Sequence, residues 1–236
     1  MFIDKVLNFL FPPLCGICLK KDKDWICDEC LNKLKSNHLK IKYININKNK
    51  INNKIKSQNI HKVYYLFEYK DLIRKKIIDY KFNDKSYLYK TFSNIILKNK
   101  KVCNLLNSYD IIIPVPMFEK KKSKRGYNQT ELIVRELSKK LNINYNNNIL
   151  LKIKENKTQS QLNYTERKQN VIGVYKVNQR EFENIKDKNK KIILFDDIYT
   201  TGFTVKECIK ELENYSLKNV DVFVLAKGKI ENRIER

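Results

Sequence analysis

Several features are missing from this sequence, and each absence narrows what the chain can be. No run approaches the roughly 20 consecutive apolar residues of a membrane-spanning helix, which argues against an integral helical membrane protein. A cleavable secretory leader is missing as well: MFIDKVLNFLFPPL, residues 1–14, is broken by Asp4 and Asn8, and no small-residue cleavage site follows. The stretch reads instead as a short amphipathic helix stopped by Pro12 and Pro13. Its Phe2, Val6 and Phe9 or Leu10 recur at helical spacing, suited to docking on the main domain or on a membrane surface. The chain is therefore expected in the cytoplasm. Acidic residues are scarce, with 26 Asp and Glu against 49 Lys and Arg, a formal net charge of +23. Such a field draws nucleic acid, anionic headgroups or phosphorylated ligands. Yet Lys far outnumbers Arg, and Asn and Ile abound, as an AT-rich genome would impose, so clusters of charge carry more information than the total.

What is present fits one domain of ordinary size with a small appendage: 236 residues, 42% of them hydrophobic, enough to build a core. Four of the six cysteines form CGIC, Cys15 and Cys18, and CDEC, Cys27 and Cys30. Two tight knuckles presenting four thiolates satisfy the tetrahedral demand of Zn2+ and leave no open position for catalysis, so a structural zinc is expected. The alternatives are two disulfides, which the missing leader disfavours, a doubled redox pair, or an iron–sulfur cluster. After Cys27 the run DECLNKLKS reads as a short helix carrying Cys30 in its first turn. Cys103 and Cys208 occupy apolar positions of expected helices and read as core residues.

Three regions follow: a helix and four-cysteine module over 1–38, a low-complexity linker or wrapping segment over 39–60, and a main domain over 61–236. The alternating Ile of the middle segment also suits an edge strand. In the main domain, strands over 62–69, 109–116, 191–195 and 219–227 alternate with helices over 71–82, 86–99, 128–141 and about 204–214. Weaker strands are expected over 148–153 and 173–177. Strands apolar on both faces and separated by helices point to an α/β fold with a mainly parallel sheet. Ligands bind such sheets at the carboxyl ends of the strands, and there the two most apolar strands end in unusual chemistry: PVP after Ile113 and DDIYTTG after Phe195.

In DDIYTTGFT, Gly202 permits a tight turn, Thr200, Thr201 and Thr204 supply hydroxyls, and a helix N-terminus adds outward amides, which together cradle a phosphate. The P-loop lysine and the three-glycine dinucleotide spacing are both absent, so ATP and NAD fit poorly. Asp196 and Asp197, pure acceptors just upstream, suit the vicinal hydroxyls of a sugar. A phosphate at one end and a diol at the other describe a ribose 5-phosphate.

Four apolar residues, two acids and TTG-x-T resemble the phosphoribosyl pyrophosphate (PRPP) motif of type I phosphoribosyltransferases. More closely, CGIC...CDEC, IIIPVP, KRGYNQTELI, TQSQLNYTERKQNV and IILFDDIYTTGFT, in this order, resemble the competence protein F (ComF) family. The resemblance implies a type I phosphoribosyltransferase-like sheet flanked by helices, with an N-terminal four-cysteine zinc module. It implies that Asp196 and Asp197 contact the ribose hydroxyls and that Thr200 to Thr204 hold the 5-phosphate. It makes Val115 and Pro116 a pyrophosphate loop with strained backbone amides, where a cis X-Pro bond costs little. Mg2+ would accompany PRPP, and Lys157, Arg167 and Lys168 would belong to a closing lid. The family's association with natural transformation implies single-stranded DNA and the DNA-uptake machinery at the inner membrane as partners. For DNA, Lys120, Lys121, Lys122, Lys124 and Arg125 suit the backbone, and Tyr127 suits a stacked base. A solvated charged loop or cations serving PRPP itself are the other readings of that stretch. No residue marks an acceptor pocket, so two functions stand: a PRPP-binding accessory factor in DNA uptake, or an active phosphoribosyltransferase acting on an unidentified amine or base.

Overall fold

A computed structural model describes residues 12–37, 41–47, 60–156, 164–185 and 187–228. The expected helix near the N-terminus, residues 2–10, lies outside them. The first helix among the described residues, α1 (Asp28–Asn37), follows the cysteine knuckles and starts with two acids, Asp28 and Glu29, at the positive end of its dipole. Strands β1 (Lys42–Asn47) and β2 (Ile60–Glu68) come next, followed by helices α2 (Asp71–Phe82), α3 (Leu88–Leu97) and α4 (Lys100–Asn107). Strand β3 (Ile111–Pro114) leads to α5 (Glu119–Arg125) and α6 (Gln129–Leu141). The short strands β4 (Asn144–Tyr145), β5 (Leu150–Lys152) and β6 (Tyr175–Val177) enclose α7 (Tyr164–Gln169), and α8 (Gln179–Glu183) follows. The described residues close with β7 (Ile192–Tyr199), α9 (Phe203–Asn214) and β8 (Val220–Lys227).

Among the described residues, six strands form one sheet in the order β1-β2-β8-β7-β3-β4, in which only the β1/β2 pairing is antiparallel. The expected α/β architecture is present. Within the segment expected to wrap or link, residues 42–47 are an edge strand whose Ile46 is buried, with Ile44 packed beside it. The weaker strand candidates pair with each other as a separate β5/β6 ribbon.

Period-two alternation sorts the sheet into two cores. Ile193 and Phe195 of β7, with Phe223 and Leu225 of β8, face α2, α3, α4, α6 and the cysteine module. Ile192 and Leu194, with Val222 and Val224, face α9 and the β5/β6 ribbon. The cysteine module is seated directly on α3. The Gly16 amide and the Thr91 hydroxyl both donate to the Trp25 carbonyl, at 3.0 Å each. A Cβ at Gly16 would fall 2.1 Å from Thr91 Oγ1, so only glycine allows this approach.

Two details depart from the sequence reading. No peptide bond is cis among the described residues, and no residue of the PVP turn has positive φ. The basic stretch after it is a helix, α5, because Glu119 opens it, Lys122, Lys124 and Arg125 close it, and Gly126 ends it in the left-handed conformation at φ 84°.

Candidate functional site

The four cysteine sulfurs lie within 4.8 Å of one another, and Cys18 Sγ is 3.8 Å from Cys27 Sγ. A tetrahedron of zinc–sulfur bonds of about 2.3 Å has an edge of about 3.8 Å, so the donor set fits that ion. The Cys30 amide donates to Cys27 Sγ at 3.5 Å, an arrangement suited to a ligating thiolate. Cys15, Cys27 and Cys30 are buried in the same core cluster as Leu88, Phe92 and Ile96, which makes any metal here part of the fold. Cys208 is buried on α9 and Cys103 half-buried on α4, away from this cluster.

A second site lies where the sheet changes direction. From β3 the chain crosses through α6 to β4, whereas from β7 it crosses through α9 to β8 on the other side. The switch point therefore falls between β3 and β7, where an open α/β sheet leaves a crevice. A cleft of about 540 Å³ opens there. Val115 and Pro116 form one wall, and Thr200 and Thr204 line it at the start of α9. The turn into α9 depends on Gly202, at φ 77°, where a Cβ would fall 2.4 Å from Tyr199 Oη. Thr201 lies in the same turn, half-buried.

Strand geometry answers why two carboxylates stand side by side. Successive side chains of β7 point to opposite faces, so Asp197 turns toward α2 and meets Lys81 Nζ at 2.7 Å. Asp196 turns the other way, toward Lys152 of β5. Burial, reinforced by the charge of Asp197, pushes the Asp196 carboxyl up to about 7, against the opposing pull of Lys81 and Lys152. Lys152 sits 5.5 Å over the Tyr175 ring, and burial, aided by Lys121, pulls its ammonium down to about 8. Both acids border the same cleft.

The PVP turn differs from what the resemblance implies. The Val115 amide donates to the Phe195 carbonyl at 2.9 Å, which extends the β3/β7 ladder, and Pro116 has no amide to offer. The Val115 carbonyl accepts from Thr130 Oγ1 at 2.9 Å and Asn128 Nδ2 at 3.3 Å. The NQT of the quoted motif thus pins the turn while Asn128 caps α6. Here the turn shapes the wall, and the cations around it supply the positive field.

Helix α5 divides its charges between faces. Lys121 and Arg125, one turn apart, border the cleft; Lys121 Nζ also donates to the Asn156 carbonyl at 2.9 Å. Lys122 turns to Glu131 at 3.2 Å, and Lys120 and Lys124 are exposed. Tyr127 is half-buried: its ring lies 5.9 Å from that of Tyr80, and its hydroxyl donates to the Tyr80 carbonyl at 2.8 Å. The Tyr80 hydroxyl in turn donates to the Gln129 carbonyl at 2.8 Å, so the two tyrosines fasten α2 to the head of α6. Of the expected lid residues, Arg167 borders the cleft, whereas Lys157 and the side chain of Lys168 lie outside the described residues.

The sequence reading missed Lys81, Phe82 and Lys152, which fold into the same cleft from α2 and β5. Lys152 carried a signal, being the one charge in the apolar run ILLKI. Lys81 carried none, because a lysine in the last turn of an amphipathic helix is ordinary.

No family model matches the chain. Competence protein F of Haemophilus influenzae is 30% identical over 154 residues, 63% of this chain and 65% of that protein. Competence protein ComFC of Streptococcus pneumoniae is 27% identical over 162 residues, covering 69% and 66%. DNA utilization protein YhgH of Escherichia coli K12 is 25% identical over 118 residues, covering 50% and 49%. The match thus spans about two thirds of the first relative and half of the last. With the four-cysteine cluster, the mostly parallel sheet and these relatives together, the chain belongs to the competence protein F family.

Proposed function

We propose that the chain binds PRPP in the switch-point cleft and serves as an accessory factor in DNA uptake, handling single-stranded DNA in the cytoplasm. One observation carries the ligand: a pair of acids at the end of β7, beside a glycine-started helix, ringed by Lys81, Lys121, Arg125, Lys152 and Arg167. Such a set offers acceptors for a diol and a strong positive field for phosphates on either side. In this reading Asp196 and Asp197 take the ribose hydroxyls, and Thr200, Thr201, Gly202 and Thr204 hold the 5-phosphate. Lys121, Arg125 and Lys152 face the pyrophosphate, with Lys157, Arg167 and Lys168 of the lid. Mg2+ bound with the ligand offsets charge that the protein cations leave. Zinc on Cys15, Cys18, Cys27 and Cys30 holds the small module together.

The role in DNA uptake rests on relatives named for competence and DNA utilization. No helix among the described residues is long and apolar enough to cross a membrane. In this reading the contact with an uptake machinery at the inner membrane is peripheral. In this reading Lys120 and Lys124, exposed on α5, meet a DNA backbone with Lys122 behind them, while Lys121 and Arg125, which line the cleft, serve its ligand. Neutralising Lys120 and Lys124 together should weaken single-stranded DNA binding and flatten its salt dependence by about 0.7 per lost phosphate contact. Unchanged DNA affinity would remove that role from α5.

A second reading, transfer of phosphoribose from PRPP to an amine or base, is favoured by the reach of the cleft from β7 to Tyr69 beyond β2, which leaves room beside the sugar. It requires pyrophosphate release with some acceptor, abolished by Asp197→Ala. A broad acceptor screen without release above background would count against it.

A further inference from the structure

Tyr43 and Tyr64 stand opposite each other on β1 and β2, with ring centroids 5.9 Å apart and planes tilted by 53°. Aromatic pairs of this kind ordinarily stabilise a sheet by covering one another. The outer ring is not covered here: Tyr43 is 58% exposed, on a strand that ends the sheet among the described residues. Strand alternation puts Lys62 on the same side of β2 as Tyr64, and its Nζ lies 5.6 Å from the centroid of the Tyr43 ring. Lys62 and its cross-strand partner Asn45 are both exposed. Asp221 of β8 is held against the sheet beside them, accepting from the Lys62 amide and from the Tyr109 hydroxyl at 2.6 Å each. An open aromatic ring and a cation thus share the edge of the sheet, three strands from the acids of β7. Neither the cleft nor α5 makes use of them.

We infer that Tyr43, Tyr64 and Lys62 form a platform for single-stranded nucleic acid, in which a base lies on the open face of Tyr43 and Lys62 meets the adjoining phosphate. The inference rests on the reading that the chain handles single-stranded DNA, and it adds a base contact to the phosphate contacts given to Lys120 and Lys124. Tyr64 supports the outer ring from the neighbouring strand, so a base meets a surface already held in place. Unpaired bases offer free π faces, and stacking on a tyrosine accepts any of them. An acidic peptide would use Lys62 but has no need of the exposed ring, and a duplex keeps its bases stacked on one another. The pairing of ring and cation therefore selects the single strand.

Fluorescence anisotropy of the full chain with a labelled oligothymidylate tests this, with an abasic strand of equal length as the reference. The thymine strand should bind at least about fivefold more tightly than the abasic one. Tyr43→Ala should erase that advantage at an unchanged thermal midpoint, and Tyr43→Trp should keep it. Lys62→Gln should weaken both strands and lower the salt dependence by about 0.7. Equal binding of the two strands by the unmodified chain, an advantage that survives Tyr43→Ala, or a duplex bound as tightly as the thymine strand would each overturn the platform. Binding that falls with Lys120 and Lys124 neutralised but not with Tyr43→Ala or Lys62→Gln would overturn it while leaving DNA handling to α5. Failure of the unmodified chain to bind either strand would overturn the DNA reading itself, and the platform with it.

Discussion

The four-cysteine knuckle and the strand-end cleft follow opposite plans. Every sulfur of the first comes from one short stretch, Cys15 to Cys30, so no ligand has to be supplied by distant chain. The second draws Lys81 from α2, Val115 from the turn after β3, Arg125 from α5, Lys152 from β5 and two acids from β7. A metal site can be local because a few bonds to one ion supply most of its energy. A polyanion site, the role proposed for the cleft, cannot, because many weak contacts must surround a ligand longer than any single turn. The local site should therefore fail all at once, and the assembled one by degrees.

The largest effect is expected from breaking the knuckle. Structural zinc contributes about 10 kcal/mol or more of apparent binding energy to small domains, and this module shares a core with α3. Chelation or Cys27→Ser should unfold residues 12–37, expose the Thr91 face of α3 and lower the thermal midpoint of the whole chain. Zinc well below one ion per chain in carefully purified protein, or an unchanged midpoint after chelation, would show that the cluster holds no structural metal.

Next in size is Asp197→Asn, which keeps the shape but removes the charge opposite Lys81. PRPP affinity by calorimetry should fall about 10- to 100-fold, the range for hydrogen bonds to a charged group, with the fold retained. Gly202→Ala follows. It forces a side chain into the left-handed region and against Tyr199, so denaturant unfolding should report a loss of about 2 kcal/mol.

A further expected effect is on pH. Asp196 has a raised pKa in the fold, about 7, against about 3.9 in an unfolded chain. Its contribution to stability is therefore full below about pH 4 and is lost as pH rises through 7. Hydroxyl donors favour the carboxylate, so binding of a diol should release a proton and strengthen between pH 6 and 8. Asp196→Asn should flatten that profile, and a profile unmoved by the substitution would place the titration elsewhere.

The legibility of the two regions in the sequence differs for the same physical reason. CGIC and CDEC declare their chemistry by spacing alone. The DDIYTTGFT turn is nearly as local, since strand alternation and a glycine-started helix follow from adjacent residues. Lys81 and Phe82 were silent because their direction depends on how α2 docks, through the Tyr80 and Tyr127 hydroxyls, onto the head of α6. The cations of α5 were visible as a cluster, but their division was not: helical geometry sends Lys121 and Arg125 to one face and Lys122 to another. The strained backbone and free amides expected of the PVP turn were borrowed from a resemblance, and in this chain the Val115 amide is spent on the neighbouring strand.

The most direct test of the assembled site is calorimetric titration of PRPP with Mg2+ into zinc-replete protein, repeated on Asp197→Asn. One PRPP should bind per chain, with affinity reduced at least about tenfold by the substitution. No binding to the unmodified chain, or equal binding to both proteins, would contradict a phosphoribosyl site at the end of β7.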